Sequence, residues 1–252
     1  MLIFDFDGVL IDSVKEVAVV AYNVLNDQKI NDLENLPEGY LELFETNRPS
    51  AKNAADMAAL ARWCLSHDEK PLLSTDEFVL IAAADPLDEE VRRDSFFGER
   101  KKLLELSEEK WVKLSPPYFP IWESIMKMPV DDVILATHKN LDAVMRICHG
   151  NKVPIKRENI YSGDQGTSKS EHFIELLSRF PGRKLTFIDD SLRNLLEIKE
   201  SLDSETELLF PTWGYAGPGD AELAHSEGIR IVDQESFIRE FMNYSPISTT
   251  AL

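Results

Sequence analysis

At 252 residues, with 43% apolar and 29% charged side chains, the chain is long enough to bury a substantial core in one or two domains and has an ordinary globular balance. Forty-five acids against 27 bases leave a net charge of −18, which argues against general affinity for nucleic acid or anionic lipid and requires any phosphate site to be locally basic or metal-bridged. No apolar run reaches membrane-spanning length, and the two cysteines, Cys64 and Cys148, lack zinc spacing and read as buried thiols.

The chain opens on Leu2-Ile3-Phe4, too short an apolar run for a helix, followed by Asp5, Phe6, Asp7 and Gly8. This predicts a buried strand with an acidic carboxyl end. In an open α/β sheet, ligands lie beyond the carboxyl ends of the strands, so Asp5 and Asp7 are presented to a site and not to a core. Gly8 lets the chain turn and lets a ligand approach the backbone. Two adjacent carboxylates are costly to bury alone, and a divalent cation resolves that cost. A strand ending in a solvated acidic turn has the same local signature.

From Val14 the apolar spacing becomes helical through Val17, Ala18, Ala21, Tyr22 and Leu25. Between about residues 29 and 129 nothing alternates like a strand. Amphipathic pieces over 54–65, 75–83 and 103–114 are broken by Pro49, Pro71, Pro86 and the pair Pro116-Pro117. A structureless loop of that length is improbable, so residues 15–129 are expected to form a helical domain inserted into the chain.

Strands and helices then alternate: strands over 133–136, 160–161, 185–188, 207–210 and 229–232, and helices over 141–148, 171–178, from Leu192, over 221–227 and over 235–242. The pattern predicts an α/β core of residues 1–14 and 130–252, a doubly wound, mostly parallel, Rossmann-like sheet with helices on both faces. Residues 248–252 read as a frayed end. The chain starts on a strand-like segment without a basic stretch and apolar run before it, so a cytoplasmic location is the expectation.

Further polar residues stand at predicted strand ends. Thr137 follows the strand at 133–136 and precedes His138, Lys139 and Asn140; on its own it reads as the cap of the next helix. Lys169 opens the next helix, where a lysine opposes the macrodipole. Asp189 and Asp190 end the strand at 185–188; a cap explains one of them but not both. Carboxylates from two strand ends suit octahedral Mg²⁺ better than zinc. Trp213-Gly214-Tyr215 follows the strand at 207–210, with the glycine read as a turn former. His67, His149, His172 and His225 have no ligand spacing, whereas His138 can reach the site through Thr137.

In this order the segments resemble the motifs of the haloacid dehalogenase-like hydrolase superfamily, and the Trp213-Gly214-Tyr215 stretch is similar to its phosphoglycolate phosphatase and β-phosphoglucomutase branch. The resemblance implies that Asp5 is the nucleophile and Asp7 the general acid/base. It implies that Thr137 and Lys169 hold the phosphoryl group, with Gly8 and His138 beside it, and that Asp5, Asp7, Asp189 and Asp190 surround Mg²⁺. Many members carry an acid where this chain has Asn194. The insertion matches the family's helical cap, whose cations contact substrate; of Arg48, Lys52, Arg62, Arg92, Arg93 and Arg100-Lys101-Lys102, Arg48 is preferred because it precedes a helix in a turn of small residues. The implied activity is hydrolysis of a small phosphorylated metabolite by a monomer or dimer. A phosphomutase, and a regulatory module that binds phosphate without turnover, share the same motifs. The dehalogenase branch lacks the second aspartate, so Asp7 argues against that reaction.

Overall fold

The computed structural model describes residues 1–67, 71–164, 167–201 and 206–242; the predicted frayed end lies outside them. In chain order the elements are β1 (Leu2–Phe4), α1 (Val14–Leu25), α2 (Tyr40–Asn47), α3 (Ala54–Leu65), α4 (Thr75–Ala83), α5 (Glu89–Leu106), α6 (Glu108–Lys113) and α7 (Phe119–Ile125). There follow β2 (Ile134–Ala136), α8 (Leu141–Gly150), β3 (Ile160–Tyr161), α9 (Lys169–Arg179), β4 (Thr186–Ile188), α10 (Leu192–Ser201), β5 (Glu207–Pro211), α11 (Asp220–Ser226), β6 (Arg230–Val232) and α12 (Gln234–Phe237). A π-helical turn, Ile238–Met242, closes the described chain. None of these helices is long and apolar enough to cross a membrane.

The six strands form one sheet in the order β3-β2-β1-β4-β5-β6, with every neighbouring pair parallel. Central β1 sets Ile3 opposite Ile134 and Phe187, and Phe4 opposite Leu135 and Ile188. These short apolar strands are buried on both faces, as parallel strands covered by helices are. On one face Ile3, Phe187 and Phe210 pack with Phe173, Leu176, Leu195 and Ile198 of α9 and α10. Phe4 meets Phe237 of α12 edge-on, ring centroids 6.2 Å apart. The strand order reverses direction at β1, and a crevice at the carboxyl ends of such strands is where doubly wound sheets bind ligands.

Two compact units emerge, Met1–Ile11 with Pro117–Leu252, and Asp12–Pro116. The second boundary falls before the residue-130 position read from the sequence. Ile11 pairs with Pro117, Tyr118 N donates to Leu10 O (2.9 Å), and α7 packs on the π-helical turn, so residues 117–129 belong with the sheet.

In the helical unit α1, α3 and α5 pack on one another. The small side chains of Ala55, Ala58, Ala59 and Ala61 give α3 a buried surface that neighbours approach closely. Capping boxes, Asn53 with Asp56 and Ser74 with Glu77, start α3 and α4. The single helix expected over 103–114 is instead the end of α5 and the whole of α6. Ser107 leaves the helical conformation and its Oγ accepts from Lys110 N (3.3 Å), starting a new helix.

Candidate active site

Three adjacent strands, β2, β1 and β4, end side by side in Thr137, Asp5 and Asp189-Asp190. Each end continues the ladder by one bond: Thr137 N to Tyr161 O (2.9 Å), Asp5 N to Ile188 O (2.9 Å) and Asp189 N to Leu209 O (3.2 Å). The polar side chains are thereby fixed by backbone, on rigid elements.

Asp5, Asp189 and Asp190 are all buried, and a carboxylate oxygen from each lies within 4.8 Å of the others. Lys169 reaches them from the first turn of α9, which a capping box between Ser168 and Glu171 initiates. Its Nζ lies 2.9 Å from Asp5 Oδ1 and 2.5 Å from Asp189 Oδ2. Asp189 also accepts from Ser191 N (2.8 Å) and Asn194 Nδ2 (3.0 Å). Asn194 thus stays in the site as a donor to a carboxylate, where an acid would have added a negative charge. Asp190 Oδ2 accepts from Tyr215 N (2.7 Å).

Asp190 is wedged between two glycines. Gly8 has φ +81°, and a Cβ on it would stand 2.0 Å from Asp190 Oδ2. At Gly214 a Cβ would stand 2.2 Å from Asp190 Cβ. Gly214 stands at a bend just after the turn at Thr212-Trp213, as the turn-former reading expects, and outside the left-handed region its missing side chain also permits the close approach of Asp190. Trp213 anchors that segment through Nε1, which donates to Val9 O (3.0 Å).

Three carboxylates share one ammonium in this cluster. Burial pushes the Asp5 carboxyl well above the carboxylate range; Lys169 opposes this, and Asp189 and Asp190 add to it. Desolvation alone would lower the Lys169 ammonium, but Asp189 and Asp5 outweigh it and hold it above the ordinary lysine value. Buried acids outnumber the buried ammonium that pairs with them here. Hard oxygen donors in that excess fit a divalent cation such as Mg²⁺.

The carboxylate of Asp7 lies outside the cluster, so three of the four expected carboxylates come together. Asp7 Oδ1 instead lies 2.9 Å from Nζ of Lys139. Sequence reasoning passed over Lys139; its only signal was its place two residues past a strand end. Thr137 is buried and its Oγ1 accepts from Lys139 N (3.1 Å). The cap of α8 is Asn140, whose Oδ1 accepts from Ala143 N (2.8 Å), so the capping reading of Thr137 falls away. His138 is exposed at its outer edge, yet desolvation of the ring, with Lys169 adding to it, pushes its pKa down to about 4.

Arg48 belongs to the helical unit, where it opens the 3₁₀ turn Arg48–Ser50 and its Nη1 donates to Ala51 O (2.9 Å). Other candidate cations have partners there too: Arg62 with Asp85 (2.9 Å), Arg92 with Ala55 O (3.2 Å) and Leu87 O (2.5 Å), and Arg100 with Glu16 (2.7 Å).

No protein-family model matches the sequence, and no curated protein matches it. Solved structures do. A predicted phosphoglycolate phosphatase from Haemophilus somnus is 20% identical, with 95% of this chain and 96% of that one covered at a TM-score of 0.57. A predicted phosphatase from Clostridium acetobutylicum is 12% identical, covering 94% and 97% at 0.56. A conserved haloacid dehalogenase-like protein of unknown function from Agrobacterium tumefaciens is 15% identical, covering 94% and 95% at 0.54. Sheet order, the strand-end acids and these near full-length superpositions together identify the fold of this chain as that of the haloacid dehalogenase-like proteins.

Proposed function

We propose that the protein is a Mg²⁺-dependent phosphatase that hydrolyses a small phosphomonoester through an aspartyl phosphate on Asp5. The observation that carries this reading is the buried set of Asp5, Asp189 and Asp190 around Lys169 at the ends of β1 and β4. The fold shared with predicted phosphatases supports it.

The Asp5 carboxylate attacks phosphorus in line as the bond to the departing oxygen breaks, and Asp7 gives that oxygen its proton. Water then attacks the phosphorus of the aspartyl phosphate, Asp7 takes its proton, and inorganic phosphate leaves with Asp5 restored. Lys169 neutralises phosphoryl oxygens while holding Asp5 in place, and the Thr137 hydroxyl meets another of those oxygens. Asp5, Asp189 and Asp190 are the residues that would hold Mg²⁺, which would supply positive charge to the phosphoryl group. Gly8 and Gly214 let the Asp190 carboxylate lie against backbone, in room that a side chain on either would fill.

The test is release of inorganic phosphate with and without Mg²⁺ from phosphoglycolate, sugar phosphates and nucleoside monophosphates, by the wild type and by Asp5→Asn. Phosphoglycolate comes first because of the name of the Haemophilus structure. The expected result is metal-dependent release that Asp5→Asn abolishes. Metal-independent turnover, or an active Asp5→Asn, overturns the reading.

A further inference from the structure

Lys139 is a buried cation that the reaction as written does not use. Its side chain is 3% exposed, and an ammonium so enclosed is costly unless it is paired. Its partner is Asp7, at 2.9 Å, whose side chain stays 24% exposed and open to a reactant.

The placement of Lys139 is built into the backbone around it. Its N–H donates to the Thr137 hydroxyl (3.1 Å), and its carbonyl accepts from Gly163 N (3.4 Å). A Cβ on Gly163 would stand 2.4 Å from the His138 carbonyl oxygen, so the loop after β3 closes directly on this turn. From there Lys139 spans from the end of β2 to the turn after β1. That turn is itself fixed, since Gly8 N donates to Ile11 O (2.8 Å).

We propose that Lys139 is the positioning residue for Asp7. The role rests on the phosphatase reading above and deepens it: Lys139 holds the proton-carrying carboxylate in one place while leaving it open to the departing group. The two buried lysines then serve separate atoms, Lys169 the nucleophile and its neighbouring acids, Lys139 the proton carrier. Proton transfer works only at hydrogen-bond distance, about 2.6–3.2 Å between heavy atoms, so an unrestrained Asp7 loses the geometry and not the phosphoryl site.

Leaving groups separate this role from a merely structural one. The full-length, Mg²⁺-loaded protein is assayed with p-nitrophenyl phosphate, whose phenolate departs without a proton, and with the alkyl phosphomonoester it hydrolyses best. Because kcat/KM reports the step that forms the aspartyl phosphate, Lys139→Met is expected to lower it about 100-fold for the alkyl ester and less than about threefold for the aryl ester. Lys139→Arg restores most of the loss. Adding Lys139→Met to Asp7→Asn lowers the alkyl rate no further, because both remove the same proton transfer. Should Lys139→Met not fold, Lys139→Gln, which keeps a donor, carries the same comparison. Equal losses on both esters, or no loss on either, overturn the assignment. Asp5→Asn run alongside tells the two readings apart: activity in that variant fails the phosphatase reading itself, whereas an inactive Asp5→Asn beside an unaffected Lys139→Met fails only the role of Lys139.

Discussion

In the helical unit, buried Glu16 accepts from Arg100 Nε (2.7 Å) and Nη2 (2.8 Å), and Trp111 Nε1 donates to the same carboxylate (3.0 Å). In the α/β unit, buried Asp5, Asp189 and Asp190 face the single ammonium of Lys169. The first set matches one acid to one base and joins α1, α5 and α6. The second sets three acids around one base. Charge that is buried and balanced ties helices together, whereas buried acids in excess of the base that faces them mark a candidate ligand site. The pair of Lys139 and Asp7 is of a third kind, balanced in charge but with its acid open to solvent.

Replacing one acid in each set should break the comparison most sharply. Asp5→Asn is expected to reduce phosphate release by at least about 10³-fold. Without metal its unfolding temperature should hold or rise, because burial and the neighbouring acids already favour an uncharged Asp5, and the amide supplies one without taking up a proton. A clear fall in that temperature would mean that Asp5 is structural in the manner of Glu16. Glu16→Ala should do the reverse and strand the Arg100 guanidinium. Breaking a buried pair from one side costs about 3–5 kcal/mol, measurable by urea unfolding.

The next effect is the response to the cation. At a hundredfold excess over its Kd, Mg²⁺ should add about 2.7 kcal/mol to stability. Glu16→Ala should keep that gain, and Asp190→Asn should lose most of it. The metal-free protein should also carry a pH slope. The Asp5 value is raised on folding, so the folded chain holds that proton more tightly than the unfolded one. This contribution is fully present below about pH 4, the unfolded value, and is lost as pH rises through the folded value. Mg²⁺ should remove that slope, and an identical slope with and without metal would disconnect Asp5 from the cation.

The sequence carried the sheet and most of the cluster because their signals are local. Mostly apolar runs of three or four residues ended in Asp5, Thr137 and Asp189-Asp190, and a strand end states its own direction. The starts of α3 and α4, read from amphipathic spacing, coincide with capping boxes in the structure. Lys139 and Glu16 were not legible, since their meaning comes from partners 132 and 84 residues away. The break at Ser107 was hidden because apolar spacing continues across it while the backbone does not. Gly214 was read as a turn former, and spacing does not reveal that the side chain of Asp190 also needs the room.

Filling that room should have a smaller effect. Gly214→Ala puts a methyl group against Asp190 and should weaken Mg²⁺ binding about tenfold, equivalent to about 1.4 kcal/mol. Gly8→Ala adds the strain of a left-handed alanine, roughly 1–2 kcal/mol, to the same displacement. Mg²⁺-dependent shifts in unfolding temperature measure both. Wild-type affinity in Gly214→Ala would show that Asp190 can move without harm to the site.

The smallest effect concerns the charge of the His138 ring. His138 stands beside a cluster rich in carboxylates, which alone would raise an imidazole, yet its pKa is pushed down to about 4. Desolvation and Lys169 prevail over Asp189 and Glu197, which act in the opposite sense. The folded chain then favours neutral His138, while the unfolded chain titrates at about 6.5. Its contribution to stability is present above pH 6.5 and is lost as pH falls towards 4, and its exposed edge keeps that contribution small. An NMR titration of the ring should show no change of charge between about pH 5.5 and 8, with Mg²⁺ lowering the midpoint further. A midpoint at or above 6.5 would show that the neighbouring acids, and not desolvation with Lys169, set the charge of this ring.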